Sequence, residues 1–88
     1  MQKDISRFLN EQGQVFVWPK KHADKQLVLD YLIEKFETEN IYTEKDVNDI
    51  LNQWHTFQDW PLLRRSLVDL GLLTRDIEGY EYRRAKNS

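Results

Sequence analysis

This chain has 88 residues, 40 % of them hydrophobic and 12 % aromatic, with no cysteine and a formal net charge of -2. Such a length supports one domain with a small core, the absence of cysteine excludes disulfides and thiolate metal sites, and no apolar run approaches the roughly 20 residues of a membrane span. The first residues lack the basic-then-apolar pattern of a secretory signal, so a cytoplasmic protein is expected.

Residues 4–10 place Ile5, Phe8 and Leu9 at helical spacing with Gly13 as a stop, which predicts a short helix. Val15-Phe16-Val17-Trp18, four β-favouring residues closed by Pro19, predicts a short edge strand, since proline cannot donate to a ladder. After the basic linker Lys20-Lys21-His22, Asp24 is placed to cap a helix running to about Phe36, with Val28, Tyr31, Leu32 and Phe36 on one face. Residues 37–40 read as a loop, and Ile41-Tyr42 returns the chain to the core. Thr43 with Asp46 three positions on is a variant capping box, beyond which Val47, Ile50, Leu51 and Trp54 follow the i, i+3, i+4, i+7 template. Residues 55–58 form a turn with Phe57 tucked inward. Asp59 then caps the next helix, with Pro61 in its first turn, where the missing N–H would have had no partner. Leu63, Leu67 and Leu70 make that helix's inner stripe until Gly71 ends it. Residues 72–75 and 80–84 read as the strands of a hairpin around Asp76-Ile77-Glu78-Gly79, followed by a frayed tail over 85–88.

Helix, strand, helix, helix, helix and hairpin together specify a mainly helical α+β fold. The order is that of a winged helix-turn-helix, a three-helix core plus a C-terminal β-hairpin wing, here with an N-terminal extension over residues 1–18. Ile41-Tyr42 is placed to join the hairpin.

Charge along the chain is bipolar. Residues 1–25 hold five basic and three acidic side chains, residues 26–59 two and eight, and residues 60–88 six and four. The near-neutral total argues against a generic polyanion binder, but basic ends flanking an acidic middle suit either a phosphate-binding face or electrostatic docking onto a protein or a second copy of the chain. Arg64 and Arg65, adjacent on the second helix of the helix-turn-helix, are candidates for phosphate or base-edge contact. A purely structural reading pairs Arg65 with Asp69 at i, i+4 and Arg64 with an acidic side chain of the preceding helix. Lys20, Lys21 and Lys25 form a basic cluster that could grip phosphate or be a solvated loop. Arg75, Arg83 and Arg84 suit wing contacts, or guard strand edges. Glu44, Asp46 and Asp49 line up as the docking surface of an alternative reading, in which the domain is a protein-interaction or dimerisation module and no enzyme. Trp18, Trp60, Tyr80 and Tyr82 could stack bases, whereas Trp54 belongs to the apolar stripe. His22 and His55 have no paired spacing, and neither a phosphate loop nor a nucleophile motif marks an enzyme, so no metal, cofactor or catalytic residue is expected.

The segments Pro19-Lys20-Lys21, Leu29-x-Tyr31-Leu32-x-x-Lys35-Phe36, Tyr42-Thr43-Glu44-Lys45-Asp46-Val47-Asn48-x-Ile50-Leu51, Leu63-Arg64-Arg65-x-Leu67-Val68-Asp69-x-Gly71-Leu72-Leu73-x-Arg75 and Gly79-Tyr80-x-Tyr82 together resemble the bacterial family catalogued as domain of unknown function 2087. Asp46 stands where that family leads one to expect Glu. The resemblance implies a winged-helix-like domain, alone or fused to a helix-turn-helix regulator, and so an association with transcription. DNA binding through the second helix and the wing, aided by a homodimer, a fused module or a partner, is the expectation that follows.

Overall fold

The computed structural model describes residues 4–85. Three α-helices, α1 (His22–Ile33), α2 (Glu44–Trp54) and α3 (Trp60–Asp69), precede two strands, β1 (Leu73–Arg75) and β2 (Tyr82–Arg84). The strands pair antiparallel, with Leu73 opposite Arg84, Thr74 opposite Arg83 and Arg75 opposite Tyr82. Tyr42 joins the free side of β2: its N–H donates to the Tyr82 carbonyl at 2.9 Å, and the Tyr82 N–H donates back at 2.7 Å. Three helices followed by this hairpin make a mainly helical, winged-helix-like α+β arrangement.

Local chemistry explains each boundary. At α2 the capping box closes in both directions, with the Asp46 N–H on Thr43 Oγ1 and the Thr43 N–H on Asp46 Oδ2, both at 3.1 Å. At α3 Asp59 accepts from the Leu62 N–H at 3.4 Å, and Pro61 occupies the first turn. The same helix ends in a Schellman turn: the Leu72 N–H reaches the Leu67 carbonyl, the Gly71 N–H reaches Val68, and Gly71 adopts φ 76°, which costs a β-carbon-free residue little. That reversal places Leu70 outside, 41 % exposed, and not on the inner stripe where periodicity put it; Leu73 fills the core in its stead.

Three other expectations need correction. Helix α1 starts at His22 with Lys21 as an N-cap that makes no side-chain bond. Asp24 therefore sits inside the first turn, where its buried carboxylate accepts from Arg7 Nη2 at 2.9 Å. The helix closes at Ile33, and tighter bonds from Lys35 and Phe36 back to Leu32 and Ile33 swing Phe36 into the core. The N-terminal helix is a single 3-10 turn (Ile5–Phe8), capped by Asp4. The edge strand over 15–18 does not form: Val15 alone bridges, to Leu9 on one side and to His55 on the other, because its N–H and carbonyl are taken by Trp54 and Thr56 of the α2–α3 turn. Of the tail, everything beyond Ala85 lies outside the described residues.

Phe8, Val15, five side chains around α1 (Val28, Leu29, Leu32, Ile33 and Phe36), Val47, Leu51, Leu63, Leu67, Leu73 and Tyr82 form one buried cluster. The N-terminal segment is thus a structural part of the helix-turn-helix, not an appendage. Its electrostatic tie is Arg7 to Asp24, so Arg7→Ala strands a buried carboxylate at the α1 N-terminus. A loss of about 1 to 2 kcal/mol in urea unfolding is expected, the ordinary worth of a charge-assisted hydrogen bond. A change below the error of the measurement would show that the helix N-terminus alone satisfies Asp24.

Candidate nucleic-acid interface

Helix α3 packs against both α1 and α2 through Leu63 and Leu67, which turns its opposite side outward. Two depressions flank that outer side. Between α3 and the wing lies a cleft of about 590 Å³ bordered by Asp59, Pro61, Leu62, Arg64, Arg65, Val68 and Asp69 of the helix and by Arg75 and Tyr82 of the strands. Between α3 and α1 lies a groove of about 250 Å³ bordered by Trp18, His22, Lys25, Gln26, Leu29, Leu62, Ser66, Asp69 and Leu70. Leu62 and Asp69 belong to both, so the two depressions meet along a ridge on α3.

The pairing register explains why Arg75 arrives at the cleft. Arg75 stands opposite Tyr82, whose ring is buried, and neighbours on paired strands share a face of the sheet. Thr74 and Arg83 therefore occupy the other face, where Arg83 lies 3.6 Å from Glu81. Arg84 shares the inner face and donates from Nη1 to the Phe36 carbonyl at 3.0 Å, tying β2 to the end of α1. Of the three wing arginines, only Arg75 faces α3.

The adjacent arginines of α3 part company as well. Arg64 donates from Nη1 to Asn48 Oδ1, and its Nη2 lies 3.9 Å from Glu44; with only 22 % of its side chain exposed, it braces α3 against α2. Arg65 is exposed and carries no salt bridge to any described residue, Asp69 included. Of the three lysines, Lys25 stands on the α1 bank of the groove, with Nζ 5.7 Å from the Trp18 ring centre. Lys20 and Lys21 lie apart from both depressions, beside Arg7, Phe16 and Val17. The acidic residues divide too: Glu44 faces Arg64, Asp46 is spent on the capping box, and Asp49 accepts from Lys45 Nζ at 2.8 Å, a hydrogen bond and charge that raise the lysine's pKa. Trp54 is half-buried under the Lys35 ammonium, 4.0 Å from its ring centre, which leaves it unsuited to base stacking.

His55 is a structural residue of the α2–α3 turn. It is buried there, its Nδ1 at 2.5 Å from the Leu51 carbonyl and its Nε2 accepting from the Asp59 N–H at 3.0 Å, with the Phe57 ring set edge-on. Nδ1 must then carry the proton. Among the described residues no three His, Cys, Asp or Glu side chains cluster as metal ligands, and no described helix is long and apolar enough to cross a membrane.

At the wing tip Asp76 accepts from the N–H groups of Tyr80 at 2.8 Å and Glu81 at 3.2 Å, while Gly79, at φ 80°, lets the chain reverse beside Arg75. Partial desolvation pushes the Asp76 carboxyl up, but the backbone donors Glu81, Tyr80 and Gly79, with Arg75 nearby, outweigh it and leave its pKa lowered. A folded-state pKa below the unfolded one stabilises the turn above the ordinary aspartate range and loses that contribution as pH falls through the lower value. The wing tip is therefore expected to loosen below about pH 4, ahead of the core, seen as early movement of the Tyr80 and Glu81 amide signals in an NMR pH titration. Asp76→Asn should abolish that early step.

The helix-turn-helix, its exposed α3 ridge and the wing leaning over it define a winged-helix-like domain. The family model described as "Uncharacterized protein conserved in bacteria (DUF2087)" matches residues 14–84, and the chain belongs to that family. No curated protein and no solved structure matches it.

Proposed function

We propose that this domain binds duplex DNA, with the α3 ridge entering the major groove and the wing lying along the adjacent backbone, in the service of transcriptional regulation. The observation that carries this reading is the convergence of Arg65 from α3 and Arg75 from β1 on one open cleft, neither held in a salt bridge by a carboxylate of any described residue. Guanidinium groups in that position can engage phosphate or guanine bidentately. Lys25 adds a third cation across the ridge. Asp59 and Asp69 line the same surface and oppose phosphate, so the affinity of one copy is low and function calls for a second copy, a fused module or a partner.

Fluorescence anisotropy with a random-sequence duplex tests the reading. Binding is expected at about 50 mM salt and should weaken with a slope of roughly 2 to 3 in log K against log salt, the mark of two or three phosphate contacts. No binding at the lowest salt would remove DNA as a ligand of the isolated domain.

A further inference from the structure

We propose that two copies of this chain associate with residues 16–21 of one laid along the Ile41 edge of the other, Val17 pairing with Ile41 and the flanking side chains filling the groove beside it. The first observation is an unused strand. Val15-Phe16-Val17-Trp18 has β-forming chemistry, yet beyond the Phe16 N–H, which donates to the Phe8 carbonyl at 3.1 Å, it enters no ladder; the Val17 N–H and carbonyl bond to no described residue, and Phe16 and Val17 stand 48 % and 38 % exposed. The second is an unused edge. Tyr42 spends its N–H and carbonyl on β2, so the alternation of a strand turns those of Ile41 the other way, and they bond to no described residue. Ile41 is itself 53 % exposed. An open apolar edge is a template for another chain.

Charge identifies the occupant. The Ile41 edge opens onto a groove of about 490 Å³ with an apolar floor, Ile41 and Ile50, and an acidic rim, Glu39, Asp46 and Asp49. Residues 16–21 present the complement, with Phe16 and Val17 followed by Lys20 and Lys21, while Arg7 beside them is already offset by Asp24. Apolar side chains meet the apolar floor while the lysines meet Glu39 and a rim that stays net negative, Lys45 offsetting Asp49 and Asp46 keeping its charge within the capping box. Both halves are on every copy, so the contact is heterologous; it closes into a dimer if two form reciprocally and otherwise runs head to tail. It uses neither Arg65 nor Arg75 and leaves the α3 ridge free. It would also supply the second copy that weak DNA binding calls for, although it does not depend on that reading.

The test needs no DNA. Sedimentation equilibrium of the whole chain from about 20 µM to 1 mM, at about 50 and 500 mM salt, is expected to show self-association that weakens as screening increases. The charge-reversed pairs Lys20→Glu with Lys21→Glu, and Glu39→Lys with Asp49→Lys, spare the Asp46 capping box and should each weaken association at least tenfold while far-ultraviolet circular dichroism stays unchanged. Mixed in equal amounts, the two variants regain complementary contacts and should associate again. A chain that stays monomeric at low salt, or variants that self-associate like the parent, would overturn the proposal, and so would a mixture that stays dissociated.

Discussion

Replacing Arg65 and Arg75 together by alanine is expected to lower affinity for duplex DNA about 100-fold at low salt and to leave the thermal midpoint where it was. Each guanidinium stands exposed at the α3–wing cleft without a carboxylate of any described residue in salt-bridge range, so its removal strands no buried partner among them. If each makes one charge-assisted contact with phosphate or base worth about 1.4 kcal/mol, each deletion is worth tenfold and the two together about two decades. Arg64→Ala should behave in the opposite way. Its side chain is mostly covered and bonded to Asn48 and Glu44, so about 1 to 2 kcal/mol of stability should disappear while DNA affinity changes less than about threefold. Anisotropy titrations and thermal scans on the same three proteins separate the two effects. A double variant that binds normally, beside an Arg64→Ala protein that does not, would relocate the interface to the α2–α3 seam.

That contrast shows where a linear reading stops. Arg64 and Arg65 are neighbours in sequence, but successive residues on a helix point about 100° apart, so one meets α2 and the other meets solvent. The partner that decides the matter, Asn48, is sixteen positions upstream and shares no periodicity with it. The three lysines divide for a similar reason. Lys20 and Lys21 precede α1, whereas Lys25 is carried by the helix onto the bank facing α3. The arginines of the wing could have been sorted from the hairpin alone, since Arg75 and Arg83 fall on opposite faces once the register is known. The register itself depends on where the four-residue expectation for the turn gives way to the longer connection between β1 and β2.

What local chemistry controls was legible: the Thr43 capping box, the Asp59 cap with Pro61 and the Gly71 reversal stand where the residue types placed them, and a hairpin forms around Gly79, although β2 starts at Tyr82 and not at Tyr80. Tertiary contacts overrode the rest. Val15 has the makings of a strand, but the carbonyl of Trp54 and the amide of Thr56 claim it first. The α2–α3 turn passes through Gln58 at φ 55°, a left-handed conformation that a glutamine gives no reason to expect. Buried His55 holds the same turn by bonding forward to Asp59 and back to Leu51, a role invisible when histidine is read only for metals. The helix-turn-helix angle, and with it the exposure of the α3 ridge, rests on these unpatterned contacts.

The other large effect is on stability, at Tyr82. Tyr80 and Tyr82 are interchangeable in a strand pattern, yet Tyr80 is 73 % exposed and Tyr82 1 %. Tyr82 also sits in the middle strand, exchanging two hydrogen bonds with Tyr42 and standing opposite Arg75 at the floor of the cleft. Tyr82→Ala removes a buried aromatic ring and leaves a cavity, for which a loss of about 3 to 5 kcal/mol is usual. Against the roughly 0.05 to 0.15 kcal/mol per residue that holds a domain together, that is a large fraction of the total. The urea midpoint should drop sharply and the Tyr42 amide, whose acceptor lies on β2, should lose hydrogen-exchange protection. Tyr80→Ala should stay within about 0.5 kcal/mol of the parent. If Tyr80→Ala proved the costlier change, the tyrosine that anchors the wing would be the other one, β2 would be shifted in register, and Arg75 would no longer be the wing residue that faces α3.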